Sequence, residues 1–167
     1  MRKIIFLDID GVLNSLEYFD QLKNADQSKK IEKYQELDVE KVRLLAEITA
    51  NTGAEIVLSS TWRDIGRKEG KRDHPMYQYL VDTLAEFGLK IIDHTPYLDY
   101  DRPREIKEWL NRQEDKDIHF VSLDDDFSPE AYKKYGIGDH LVRTSFYGVN
   151  GGLQKVHVEK AIDILNN

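Results

Sequence analysis

The chain has 167 residues, the length of one ordinary domain, and 40% of them are hydrophobic, which is enough for a buried core. It contains no cysteine, which excludes disulfides, thiolate chemistry and cysteine-ligated zinc or iron–sulfur sites. The net charge of -7 disfavours non-specific binding to nucleic acid, and no apolar run reaches the roughly 18 residues of a membrane span. We therefore expect a cytoplasmic protein with no membrane partner. The sequence carries no clear signal for an oligomeric state.

Apolar runs that alternate with amphipathic segments predict strands alternating with helices along the chain. The predicted strands are residues 3–8, 54–60, 89–93, 117–126 and 140–143. The predicted helices are residues 37–53, 74–88, 102–113 and 152–167. This alternation indicates a three-layer α/β/α, Rossmann-like fold with a central parallel sheet of about five strands. We interpret residues 1–167 as a single domain in which residues 15–37 form a short flap, with a mobile polar stretch over residues 24–36.

Acidic and hydroxyl side chains directly follow three of the predicted strands. They lie in residues 8–10, 59–61 and 124–126. The carboxyl ends of parallel strands meet at one edge of a sheet, where α/β proteins form their ligand crevice. The sequence therefore predicts one site that contains all three groups.

The strongest motif is LDIDGVLN, residues 7–14, in which Asp8 ends a buried strand and Asp10 lies two residues further on. Two carboxylates this close repel each other in a low-dielectric crevice, so they need a cation or a shared proton. Mg2+ suits them, because it prefers oxygen ligands and keeps positions for water and phosphate oxygens. Gly11 allows the backbone to turn sharply, and it is a candidate for contact with phosphate or substrate.

The second motif is IVLSSTWR, residues 56–63, in which hydroxyl groups follow a buried strand. A hydroxyl and backbone N–H groups at a strand end can bind a phosphate oxygen, and we expect Ser59 to do so, with Ser60 as the second choice. Helix capping is the alternative role for either serine. Thr61 and Arg63 are further candidates for contact with phosphate or substrate.

These motifs, together with VSLDDDF at residues 121–127, resemble motifs I, II and IV of the haloacid dehalogenase-like (HAD) phosphohydrolases. The resemblance implies a HAD-like fold in which Asp8 is the nucleophile that becomes aspartyl-phosphate. Asp10 is then the general acid and base, with its backbone carbonyl on the metal, and Ser59 binds phosphate. The resemblance also implies that Asp124 and Asp125 complete the Mg2+ site with Asp8 and Asp10.

The family also needs a basic side chain, which the segment RPREIKEWL, residues 102–110, supplies. Arg102 and Lys107 are both candidates for this catalytic role, and Arg104 is a weaker one. The pattern of this segment resembles a HAD subfamily that is also found in RNA-repair proteins.

The gaps between the motifs leave no room for a large cap domain, and an open site of this kind suits large substrates such as RNA or DNA ends. Residues 63–72 contain five basic and two acidic side chains, a local charge of +3 that favours a polyanion. Four aromatic side chains near strand ends are candidates for stacking on a base or for core packing; they are Tyr97, Tyr100, Phe146 and Tyr147. A nucleotide, metabolite or phosphoprotein phosphatase and a catalytically silent binding module are the alternatives.

Overall fold

A computed structural model describes residues 1–25, 33–67 and 71–167 of the chain. The strands are β1 (Arg2–Leu7), β2 (Glu55–Leu58), β3 (Ile91–His94), β4 (Ile118–Asp124) and β5 (Leu141–Arg143). The helices are α1 (Leu16–Asn24), α2 (Val39–Thr52), α3 (Pro75–Glu86), α4 (Arg102–Arg112), α5 (Pro129–Lys133) and α6 (Lys155–Asn166). Two short 3₁₀ helices lie at Thr61–Asp64 and Gly138–His140. All neighbouring strands pair in parallel, in the order β3-β2-β1-β4-β5.

The central strand β1 is buried on both faces, which is why its sequence is almost continuously apolar. Ile5 and Leu7 belong to a hydrophobic cluster that includes residues of α2, α3 and α6. Ile4 and Phe6 belong to a second cluster, which includes residues of α4 and α5. The sheet therefore separates two layers of helices, and the predicted three-layer α/β/α fold is confirmed.

From β1 the chain first adds strands on one side of the sheet, β2 and then β3, and afterwards on the other side, β4 and then β5. Leu7 is level with Leu58 of β2 and Leu123 of β4. The next residue of each strand donates its backbone N–H across the sheet, from Asp8 to the Leu123 carbonyl and from Ser59 to the Leu7 carbonyl. This pairing brings the ends of three strands side by side at the topological switch point, where open α/β sheets bind ligands.

Two helices, α1 and α5, lie in segments for which we predicted no helix. Each begins with a serine cap: the Ser15 hydroxyl accepts from Tyr18 N–H, and the Ser128 hydroxyl accepts from Ala131 N–H. The helix α1 occupies part of the predicted flap, whose residues 26–32 lie outside the described residues, as do residues 68–70 of the basic segment. Among the described helices, none is long and apolar enough to cross a membrane.

Candidate active site

Three carboxyl groups meet at the carboxyl ends of β1 and β4. Oxygen atoms of Asp8, Asp124 and Asp125 all lie within 4.8 Å of one another. Asp8 and Asp124 are buried and Asp125 is half-buried. Buried negative charge of this density requires positive charge beside it, and an oxygen-only donor set fits Mg2+. The Asp10 carboxylate is not part of this cluster, and its predicted backbone contact with the metal stays a prediction.

Arg102 is the cation that the structure brings to this cluster. Its Nη1 lies 2.8 Å from Asp124 Oδ2 and 3.1 Å from Asp8 Oδ2. Burial alone would lower the pKa of this guanidinium, but Asp8 and Asp124 raise it above its usual value. Arg102 Nε is buried and has no hydrogen-bond partner among the described residues, so it is available to an incoming phosphate oxygen. The alternative candidate Lys107 is exposed on α4 and is not among the residues that line the crevice.

One arginine does not compensate three acids, which is consistent with the raised pKa values of Asp8 and Asp125. Burial raises the pKa of Asp8, Arg102 lowers it, and Asp124 and Asp125 raise it again, so that it lies well above its usual value. Burial also raises the pKa of Asp125. A divalent cation would remove this penalty by stabilising the charged forms. The electrostatics therefore fit a metal site.

Asp10 is exposed at the mouth of the site, and two donors fix its side chain. Oδ1 accepts from Asn14 Nδ2 at 2.9 Å, and Oδ2 accepts from the Trp62 indole N–H at 3.1 Å. Trp62 is itself only 3% exposed. Neither donor was predicted from the sequence. Asp10 is thus held beside the buried cluster as an acid that solvent and substrate can reach.

Gly11 is needed for close packing and does not fit the phosphate-binding role predicted for it. Its φ of 82° is in the left-handed region, and a Cβ atom there would overlap the Asp125 carboxyl group. Its N–H already donates to Asn14 Oδ1 at 2.9 Å, and its carbonyl accepts from the Thr144 hydroxyl at 2.6 Å. Both backbone groups are therefore used inside the loop.

The two serines after β2 have different environments. The Ser60 hydroxyl caps the short helix Thr61–Asp64 by accepting from Trp62 N–H at 3.2 Å. The Ser59 hydroxyl is buried and has no hydrogen-bond partner among the described residues. A buried hydroxyl without a partner is costly unless a ligand satisfies it, so Ser59 is the better candidate for phosphate. Thr61 is exposed and lines the crevice.

Arg63 has structural contacts that the sequence did not predict. It is 1% exposed, and its Nη2 pairs with Glu105 of α4 at 2.8 Å. Its Nη1 donates to the carbonyls of Ser59 and Ser60 at 3.1 and 3.0 Å. Carboxylate and carbonyl groups thus engage both Nη atoms, and Arg63 fixes the serine loop to α4. Its Nε is buried without a hydrogen-bond partner among the described residues, so the predicted contact with an anion stays a prediction.

A buried tyrosine that the sequence did not indicate supports Asp124. The Tyr132 hydroxyl lies 2.7 Å from the Ser122 hydroxyl and donates to Asp124 Oδ2 at 3.2 Å. Asp124 Oδ1 accepts from Asp126 N–H at 2.9 Å. Asp124 is therefore held in one orientation by β4, α5 and the turn that follows it. The only local signal for Tyr132 is its place in a capped helix, which does not reveal the contact.

The acids open into a crevice of about 400 Å³. Its polar lining residues are Asp8, Asp10, Thr61, Arg102, Asp125 and Asp126. Its lining also contains three aromatic residues: Phe19 of α1, Phe146 and Tyr147. The ring centroids of Phe146 and Tyr147 are 5.2 Å apart, and Tyr147 is 71% exposed. The crevice thus combines acidic and basic groups with aromatic ones.

The fold and the strand-end acids define a HAD-type α/β protein, as the sequence motifs predicted. Residues 4–158 match the family described as the HAD domain in Swiss Army Knife RNA repair proteins. The chain belongs to this family, and membership indicates phosphohydrolase chemistry. No curated protein and no solved structure matches the chain significantly.

Proposed function

We propose that the protein is a Mg2+-dependent phosphomonoester hydrolase that acts through an aspartyl-phosphate on Asp8. The observation that supports this most is the convergence of Asp8 with Arg102 and two further acids at the switch point of the sheet. Beside them, the Ser59 hydroxyl and Arg102 Nε are buried donors without partners among the described residues. A transferring phosphoryl group has oxygen atoms that match such donors.

In the first step, an Asp8 carboxylate oxygen forms a bond to phosphorus while the bond from phosphorus to the substrate oxygen breaks. Asp10 gives its proton to the departing alkoxide, so the first product leaves as a neutral alcohol. In the second step, water attacks the same phosphorus, Asp10 takes the proton of the water, and Asp8 is released with inorganic phosphate. The two donors on Asp10, Trp62 and Asn14, keep its carboxylate in place for both transfers.

Asp8, Asp124 and Asp125 would hold Mg2+, with the backbone carbonyl of Asp10 as the family resemblance implies. When bound, the ion neutralises negative charge on the transferring group. Arg102 contacts Oδ2 of Asp8 and Oδ2 of Asp124 and so holds both carboxyl groups in a fixed orientation. The Ser59 and Arg102 donors bind phosphate oxygens and orient the phosphorus toward Asp8.

The substrate we propose is a nucleic-acid end that bears a terminal phosphate. Phe19, Phe146 and Tyr147 line the same crevice as the acids and offer faces on which a nucleobase attached to the phosphate would stack. The description of the family names RNA repair proteins, which favours a polynucleotide over a free nucleotide.

Phosphate release from a panel of substrates, with Mg2+ and with EDTA, tests this proposal. The panel contains p-nitrophenyl phosphate, mononucleotides, a phosphopeptide and oligonucleotides with 3′- or 5′-phosphate. We expect release that depends on Mg2+ and is most efficient with an oligonucleotide. Asp8→Asn should abolish it, whereas Asp139→Asn, an exposed aspartate in the helix Gly138–His140, should not.

Release from small molecules alone would replace the polynucleotide with a nucleotide or metabolite as substrate. Preferred release from the phosphopeptide would indicate a phosphoprotein phosphatase. Release from none of these substrates would support a catalytically silent binding module and contradict the proposal.

A further inference from the structure

A second concave surface lies beside the edge strand β3, away from the acid cluster. It encloses about 460 Å³ and is lined by Arg67, Arg72, Asp93, His94, Tyr97 and Arg112, among others. Its lining also includes Trp109 and Arg112 from the C-terminal end of α4. We call it the β3 groove. None of its lining residues belongs to the lining of the catalytic crevice.

The β3 groove is positively charged, although the chain carries a net charge of -7. It contains three arginines and one carboxylate, Asp93. Both oxygens of Asp93 already accept hydrogen bonds, Oδ1 from the N–H of His94 and Oδ2 from the indole of Trp109, each at 2.8 Å. Arg112 pairs with Glu108 on the exposed face of α4, at a site where water screens the pair. The groove therefore presents cationic groups to an anionic ligand.

The arginines of the groove also help to lower the pKa of His94. The pKa of His94 is lowered to about 4, first by burial and then by Arg72; Asp93 opposes this shift, and Arg67 and Arg63 add smaller lowering contributions. His94 Nε2 lies 2.6 Å from the Tyr77 hydroxyl, the other titratable group in contact with it. His94 is accordingly neutral at physiological pH and contributes hydrogen bonds rather than charge.

Two exposed tyrosines connect the β3 groove with the catalytic crevice. Tyr97, 51% exposed, lines the groove, and its ring is 4.8 Å from that of Tyr100, which is 59% exposed. Tyr100 is two residues from Arg102, which lines the crevice, and its carbonyl accepts from Arg102 N–H at 3.1 Å. Asp99 and Tyr100 both have positive φ, at 55° and 59°, a conformation that costs non-glycine residues roughly 1–2 kcal/mol each. Strain of this kind is typical of functional surfaces.

We propose that the β3 groove binds the sugar–phosphate backbone of a single-stranded polynucleotide whose end occupies the catalytic crevice. This assignment rests on the proposed function for its link to catalysis. The exposed tyrosines supply faces on which bases stack, and the arginines supply charge for internal phosphates, which is the combination that single-strand binding requires. A phosphopeptide or a free nucleotide would use only part of this surface.

The β3 groove also shares a rigid support with the catalytic loop. Arg72 Nε donates to the carbonyl of Arg63 at 3.2 Å, and the Arg63 guanidinium holds the carbonyls of Ser59 and Ser60. The groove and the phosphate-binding serine are thus attached to the same buried residue. A strand bound in the groove would therefore meet the crevice in a fixed register.

The test uses the full chain and the double variant Arg67→Ala/Arg112→Ala, which leaves the buried Arg63 and the anchored Arg72 unchanged. Arg43→Ala is the matched control, because Arg43 of α2 is likewise an exposed arginine paired with a carboxylate of its own helix, Glu40. The first readout is the Kd of a fluorescent, unphosphorylated single-stranded oligonucleotide as a function of salt. The second is kcat and KM for an end-phosphorylated oligonucleotide and for p-nitrophenyl phosphate.

We expect the double variant to raise both the Kd and the KM for the oligonucleotide by at least about tenfold, because two charge-assisted contacts are lost. The slope of log Kd against log salt should fall by about 1.4, the value for two phosphates of a single strand. Turnover of p-nitrophenyl phosphate and all values for Arg43→Ala should stay at the wild-type level.

Equal Kd values for the double variant and Arg43→Ala would overturn the assignment, and so would a mononucleotide or phosphopeptide that binds as tightly as the oligonucleotide. Failure of the proposed function gives a different result, namely no phosphate release from any substrate. The binding readout does not depend on catalysis and still decides whether the groove holds a strand.

Discussion

Replacing Trp62 by phenylalanine removes the indole N–H that donates to Asp10 Oδ2 at 3.1 Å but keeps most of the buried ring. A hydrogen bond to a charged acceptor contributes about 1.5–3 kcal/mol. Asp10 keeps its second donor, Asn14 Nδ2 at 2.9 Å, so we take the lower end of this range. A loss of about 1.4 kcal/mol in transition-state stabilisation corresponds to a tenfold lower rate. We therefore expect kcat to fall by about tenfold with little change in KM.

Trp109 provides a matched control for this experiment. It is also 3% exposed, and its indole N–H donates to a carboxylate, Asp93, at 2.8 Å. Trp109→Phe should destabilise the protein by a similar amount, yet it should leave the hydrolysis of p-nitrophenyl phosphate unchanged. Steady-state kinetics and thermal denaturation of both variants separate catalysis from stability. Equal kcat values for the two variants would refute the role of Trp62 in orienting Asp10.

Three other predictions concern phosphate binding, catalysis and pH. Arg102→Ala should lower kcat/KM by at least about 100-fold and Lys107→Ala should leave it unchanged, because only Arg102 contacts the acids; equal losses would contradict this. Ser59→Ala should lower activity with little loss of stability, whereas Ser60→Ala should cost about 1 kcal/mol of stability through its lost cap, as chemical denaturation would show. The pKa of His94 is lowered from 6.5 to about 4. The unfolded chain therefore takes up a proton first, and the free energy of unfolding should fall as pH drops from 6.5 to 4. A His94→Gln variant whose melting temperature declines as steeply as that of the wild type over this window would contradict the assignment.

The sequence was sufficient to predict the fold and the convergence of the acids. The apolar run before Asp8 has to be a buried strand, and parallel strands bring their carboxyl ends to one edge. Once Asp8 and Asp124 end neighbouring strands, their proximity follows from the topology alone. The motifs also resembled those of the HAD family, and the match over residues 4–158 confirms that the chain belongs to it.

Contacts that depend on the path of side chains across the site could not be predicted. The bond between Trp62 and Asp10 joins residues 52 positions apart, and the pair of Arg63 and Glu105 joins residues 42 positions apart. No local pattern distinguishes a buried arginine with a carboxylate partner from an arginine that binds phosphate. For this reason the pair of Arg63 with Glu105 was not predicted.

Helix α1 was missed because it is only nine residues long and none of its residues is buried, so its sequence lacks the long apolar stripe that marked the predicted helices. Ser15 was the available signal, since it caps Tyr18 N–H in the pattern expected of a helix start. Because α1 was not predicted, Phe19, which this helix contributes to the lining of the crevice, was not predicted either.

The central claim is that Asp8 becomes phosphorylated during turnover, and trapping the intermediate tests it most directly. The protein would be mixed with Mg2+ and an oligonucleotide carrying a radiolabelled terminal phosphate, quenched in acid within one turnover, and digested for peptide mapping. We predict that label appears on the peptide that contains Asp8, is released by hydroxylamine, and is absent in Asp8→Asn. Turnover without label on that peptide, or label on another residue, would contradict the account.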